Sequence, residues 1–228
     1  AVAPGGSLLV VAHHPDDQHT GVRRPQGEDL LFGPDRVTDL LEALAPLPSR
    51  LAFSRTAGDE VQGLVCDPGH LPALLEVLLR DGGWRVGLGI GHVEAPLPGD
   101  VREARGPAFV HARDAVEAAR HSPAGLRVVA GGTDAEQRAG CALETAVWLW
   151  ASLLQRRTDR GWEVVDLLDA GDTHDRAARR LGISQSAVSQ RARAAGVVES
   201  GRARELVAHL ARLALTAADG ARAGEDER

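Results

Sequence analysis

At Gly131–Gly132 the hydrophobic pattern of this chain changes period, and that change limits the folds open to it. Upstream, from Leu8 to about Ala130, runs with the two-residue rhythm of strands alternate with helical ones. Strands are expected at Leu8–Ala12, Leu51–Arg55, Val61–Cys66, Trp84–Ile90 and Leu126–Val129, and helices near Pro34–Ala45, His70–Arg80 and Pro107–Arg120. Downstream every apolar repeat is helical. A sheet therefore has to come from residues 1–131, and helices alone from the rest: an α/β part followed by an all-α part.

The first six elements, β-α-β-β-α-β, follow the order of a ferredoxin-like split βαβ sheet, with "AGDE" at Ala57–Glu60 as a hairpin turn. Beyond the glycine pair a long apolar helix, about Arg138 to Gln155, carries Val147, Trp148, Leu149, Trp150 and Leu153, and residues 132–160 are expected to be a connector or dimerisation helix ending in a polar turn at Arg156–Gly161. A helical module over 161–217 and a disordered tail over 218–228, "ADGARAGEDER", complete the chain. Hydrophobic residues at 43% and charged residues at 25% suffice for a packed core, and no run has the length and apolarity of a membrane span. Two cysteines, Cys66 and Cys141, are too few for a disulfide framework, and no signal peptide is visible, so a cytoplasmic location is expected. All 26 basic residues are arginine, the mark of a GC-rich genome.

The densest local signals lie between Glu163 and Val198. Helix Glu163–Ala170 stops at Gly171; Asp172 or Thr173 caps a second helix through Leu181; Gly182 supplies a sharp turn; Ser184 caps a third helix with Ala187, Val188 and Ala192 facing inward. The net charge of −6 argues against nucleic acid as a partner of the whole surface, yet residues 176–204 hold seven arginines against one acid, Glu199. "THDRAARRLGISQSAVSQRARAAG" is similar to the helix-turn-helix of many bacterial regulators. That resemblance implies a third helix in the major groove of double-stranded DNA. Ser184, Gln185, Ser186, Ser189 and Gln190 are then candidates to read base edges, Arg191 and Arg193 to reach base or phosphate, and Arg179 and Arg180 to clamp the backbone. One such unit needs a second half-site, so a homodimer on a near-palindromic operator is expected.

Two blocks upstream, "FSRTAGDEVQGLV" at 53–65 and "WRVGLGIGHVEAP" at 84–96, followed by "GPAFVHARDAVEAAR" at 106–120, resemble the SatD-like proteins. More distantly, the element order is similar to the palm of class III nucleotide cyclases and GGDEF diguanylate cyclases. The resemblance implies a carboxylate pair at the ββ turn, here Asp59 and Glu60, holding a nucleotide and Mg²⁺. It also implies a metal-binding Asp at the end of the first strand, where this chain has His13, with Asp16 and Asp17 displaced beyond it. Mg²⁺ prefers oxygen ligands, so the expectation is a non-catalytic domain that senses a purine nucleotide or cyclic dinucleotide. Gly87, Gly89 and Gly91 alternate along one strand and bare one face, which either admits a ligand at Gly89 and Gly91 or packs against a helix. His92 and His111 are expected to be structural.

The opening "LLVVAHHPDDQHTG" supports a different class of function, a metal-dependent enzyme. It resembles the first motif of PIG-L/LmbE-like zinc deacetylases, which would make His14 and Asp17 ligands and Asp16 the general base. Such a site needs a third protein ligand. The other histidines, His19, His70, His92, His111, His121, His174 and His209, stand singly, and no second metal motif follows.

Overall fold

The computed structural model describes residues 6–14, 36–56 and 58–226. Five strands, β1 (Ser7–His13), β2 (Leu51–Arg55), β3 (Glu60–Val65), β4 (Arg85–Gly91) and β5 (Leu126–Val129), form one mixed sheet in the order β2-β3-β1-β4-β5. Central β1 runs antiparallel to both neighbours, placing His13 opposite Glu60 on one side and Arg85 on the other. Strands β4 and β5 are parallel, joined through helix α3 (Pro107–Ala119).

Both faces of the sheet are covered, which is why β1 is a continuous apolar run rather than an alternating one. Leu8, Val10 and Ala12 enter one core, Leu9 and Val11 the other. Helices α1 (Arg36–Leu44) and α2 (Leu71–Asp81) lie on the first face; α2 buries Leu71, Leu74, Leu75 and Leu78 at helical spacing. Helix α3 lies on the second face with its small residues inward: Ala108, Ala112, Ala115 and Ala119. A Cβ at Gly87 would stand 2.5 Å from the Val116 amide nitrogen, one at Gly89 would collide with the Ala108 carbonyl, and one at Gly91 would reach 2.9 Å from the Ala108 nitrogen. The bare strand face therefore admits helix backbone, and the expectation that Gly89 and Gly91 bind a ligand through it is corrected: α3 occupies that space.

Helices α4 (Asp134–Leu154) and α8 (Val197–Asp226) pack on one another and complete the first core with Leu143, Val147, Trp150, Leu154, Val207, Ala211 and Leu215. The core does not divide at Gly131. The stretch expected to be a connector or dimerisation helix is a packed layer of the sheet body, leaving Leu149, 68% exposed, on its outer side. Within the stretch expected to be a disordered tail, α8 continues to Asp226. Its small residues permit close approach: Ala214 and Ala218 are buried, and the Asp219 carboxylate accepts from the Gly6 amide.

Between α4 and α8 the chain leaves the body to form α5 (Asp159–Asp169), α6 (His174–Leu181) and α7 (Gln185–Ala194), which enclose a separate small core of Val164, Ala177, Ala178, Val188 and Ala192. No helix of the described residues is long and apolar enough to cross a membrane.

Two glycines separate the two roles of a missing side chain. Gly89→Ala would press on the α3 backbone and the Ala112 Cβ, neither of which can swing aside, and is expected to lower stability by about 1–3 kcal/mol. Gly201→Ala, inside α8 with nothing within 4 Å of its Cβ, is expected to raise stability by about 0.5–1 kcal/mol. Urea denaturation of both variants checks the opposite signs.

Candidate nucleic-acid interface

Local hydrogen bonding fixes each element of the α5–α7 module. Thr158, Thr173 and Ser184 cap the three helices, their hydroxyls accepting from the Gly161, Arg176 and Ala187 amides at 3.2 Å each. Gly182, at φ 65 and ψ 31, takes the left-handed turn between α6 and α7 that a Cβ would disfavour. Val188 and Ala192 point into the small core. Gln185, Ser186, Gln190 and Arg193 are exposed, with Ser189 half-buried beside them.

The candidate residues are thus brought to α7 and its cap, with Arg179 and Arg180 on α6, but not on equal terms. Ser184 spends its oxygen on the cap and lies 2.9 Å from the Ser186 hydroxyl. Arg191 is only 27% exposed and leans toward Glu163 of α5 at 3.8 Å. Arg179 pairs with Asp175, and Arg180 donates to Asp172 at 2.8 Å, where Arg176 also approaches at 3.5 Å. The basic block therefore carries acids that begin just before the first of its seven arginines. The Arg193 side chain has no ion pair or hydrogen bond among the described residues.

A cluster unsuspected from sequence joins this module to the sheet body. The Arg157 side chain, 1% exposed, donates through Nε to the Ala195 carbonyl at 2.8 Å, at the end of α7. Its guanidinium lies 4.4 Å from the Trp162 ring centroid, and the Arg80 guanidinium lies 4.3 Å from it. Glu76 of α2 is 3.6 Å from Arg157 and accepts two hydrogen bonds from Arg204 of α8, at 2.7 and 2.8 Å; Arg204 also donates to Asp169 of α5 at 2.6 Å. Arg80 of α2 forks onto Asp166 of α5 at 2.6 and 2.8 Å. Hydrogen bonding to Asp166 holds Arg80 above the ordinary arginine value, whereas burial pushes Arg157 below it. At Arg204 burial opposes the charge, but Asp169 and Glu76 outweigh it and raise the value.

The second candidate site lies at the end of β1. His13 Nε2 stands 3.2 Å from Asp59 Oδ1, and the buried Glu60 Oε1 accepts from Thr56 Oγ1 at 2.7 Å and Gln62 Nε2 at 2.8 Å, with Arg113 of α3 at 3.7 Å. Asp59 and Glu60 do sit beside the first strand, but each faces donors of its own chain. Among the described residues this set is a poor match for Mg²⁺, which prefers oxygen ligands: a histidine nitrogen faces Asp59, and one Glu60 oxygen already accepts two bonds. Among the described residues no group of three His, Cys, Asp or Glu side chains has the arrangement to hold a metal. His14 is buried with its ring edge-on to Trp84, centroids 5.1 Å apart, while Asp16, Asp17 and His19 lie outside the described residues. His111 Nδ1 bonds the Ile90 carbonyl at 2.6 Å, a structural role. Gly91 and His92 border a cavity of about 300 Å³ where the Thr133–Glu136 capping box meets α8.

The joint ranks two arginines. Arg204→Ala leaves Glu76, 15% exposed, with only the long Arg157 contact and is expected to cost about 3 kcal/mol. Arg80→Ala breaks a half-exposed pair and is expected to cost about 1 kcal/mol or less. Equilibrium unfolding measures both, and the reverse order would contradict the assignment. Compared with family models, curated proteins and solved structures, the chain matches none.

Proposed function

We propose that this chain is a bacterial DNA-binding transcriptional regulator, in which α6 and α7 form a helix-turn-helix and α7 enters the major groove. The observation that carries the reading is the outer side of α7. Gln185, Gln190 and Arg193 are exposed on a helix whose start, turn and core contacts are all fixed, so hydrogen-bonding groups are presented in a defined geometry. A regulator of this kind acts as a homodimer on a near-palindromic site.

The sheet body is read as a non-catalytic palm-like domain of SatD-like type. Its support is the order β2-β3-β1-β4, which is that of a ferredoxin-like split βαβ unit, together with the resemblance of residues 53–65, 84–96 and 106–120. Any purine nucleotide or cyclic dinucleotide it senses is taken without Mg²⁺, because Asp59 and Glu60 already have partners on the chain.

Sheared genomic DNA passed over the protein and sequenced after retention tests the reading; enrichment of one symmetric sequence is expected, and retention without sequence preference would count against it. On that sequence Gln190→Ala and Arg193→Ala are expected to weaken binding by about 1–3 kcal/mol each, with unchanged melting of the protein. Isothermal titration is expected to give the same heat for a bound nucleotide with and without Mg²⁺.

A further inference from the structure

A helix lying in the major groove has phosphates along its flanks, since the groove is about 12 Å wide and a helix with its side chains is about 10–12 Å across. On the flank of α7 that faces α5 there is a cavity of about 140 Å³ walled by Arg156, Thr158, Gly161, Arg191, Ala194 and Ala195. No carboxylate lines it. The nearby acids Asp159 and Glu163 border a different cavity, with Trp162 and Arg80.

The two arginines reach this corner from different elements. Arg156, exposed at the end of α4, is tethered by its Nε to the Ser152 carbonyl at 3.1 Å, and its terminal nitrogens have no partner among the described residues. Arg191 comes from α7 itself, and its nearest acid, at 3.8 Å, is too long for a hydrogen bond. Ala194 belongs both to the cavity wall and to the exposed side of α7, one turn beyond Gln190. The corner thus borders the reading surface, with a guanidinium fork of the kind that takes two phosphate oxygens at once. By contrast, Arg179 faces Asp175 of α6 and Arg180 faces Asp172, the residue before the Thr173 cap.

We propose that the α4–α5 corner holds a backbone phosphate of the DNA, with Arg156 and Arg191 as its ligands, in place of the clamp expected from Arg179 and Arg180. This inference rests on the DNA-binding reading above. It makes Arg156 a sequence-independent contact, distinct from Gln190 and Arg193.

Salt titrations of duplex binding by the full chain test it, read as the slope of log affinity against log salt concentration. Arg156→Gln is expected to reduce the slope by about 0.9, the share of one phosphate, and to weaken binding about equally on every sequence. Arg156→Lys is expected to keep the slope, and Arg179→Gln with Arg180→Gln to change it less than Arg156→Gln alone. An unchanged slope in Arg156→Gln, with normal melting and DNA still bound by the unaltered chain, overturns the clamp alone. Loss of all duplex binding by the unaltered chain overturns the clamp and the DNA reading together. Inorganic phosphate titrated without DNA is expected to give no saturable heat; a saturable heat abolished by Arg156→Gln would assign the corner to a small phosphate ligand instead.

Discussion

The position of α7 depends on one buried guanidinium. Arg157 ties the last turn of α7 to its own loop through the Ala195 carbonyl, stacks on Trp162 of α5 and approaches Glu76 of α2. A guanidinium removed from water is costly, and here the Trp162 face and Glu76 offset part of that cost. Both terminal nitrogens of Arg157 stay buried without a hydrogen bond among the described residues, and burial keeps its pKa below the ordinary value. Glu76 is in turn shared with Arg204, which reaches on to Asp169. Five elements of different origin in the sequence, α2, α5, the end of α7, α8 and the α4–α5 corner, meet in this one network. The helical module is therefore seated on the sheet body by directional contacts in addition to the helices α4 and α8 that carry it.

The body itself is built to be covered on both sides. Three glycines on β4 and four alanines on α3 let a helix lie against strand backbone, while the leucine-rich face of α2 and the α4–α8 pair close the other side. This arrangement uses the glycine face for packing and ties up Asp59 and Glu60 with His13, Thr56, Gln62 and Arg113. The same residues that resemble a nucleotide site thus make contacts, in this chain, within the sheet, at the β2–β3 turn and against α3.

Much of the fold was legible because local signals agree. The strands β2 and β5 and the turn at Gly182 fall where hydrophobic period and turn chemistry place them. The helix starts were legible only in part. Thr133 and Glu136 spell a capping box, so α4 begins at Asp134, four residues before the apolar repeat suggests, and Thr158 likewise starts α5 at Asp159. The end of α8 was not legible, since alanine and glycine in a charged stretch look like a tail until a neighbouring helix and β1 are present to pack on. Ion pairing was the least legible feature. Glu76 and Arg204 are 128 residues apart, and the charge count over 176–204 began just beyond Asp172 and Asp175, which neutralise the arginines expected to grip DNA.

The most direct test of the central claim is site-specific crosslinking of the full chain to the DNA it retains. With Cys66 and Cys141 replaced by alanine, a photoreactive group is attached through Gln190→Cys on α7 or through Val110→Cys, an exposed position on α3. If α7 lies in the major groove, position 190 crosslinks to bases within the retained sequence and position 110 does not. Crosslinking from position 110 with none from position 190 would place the DNA on the sheet body and contradict the account.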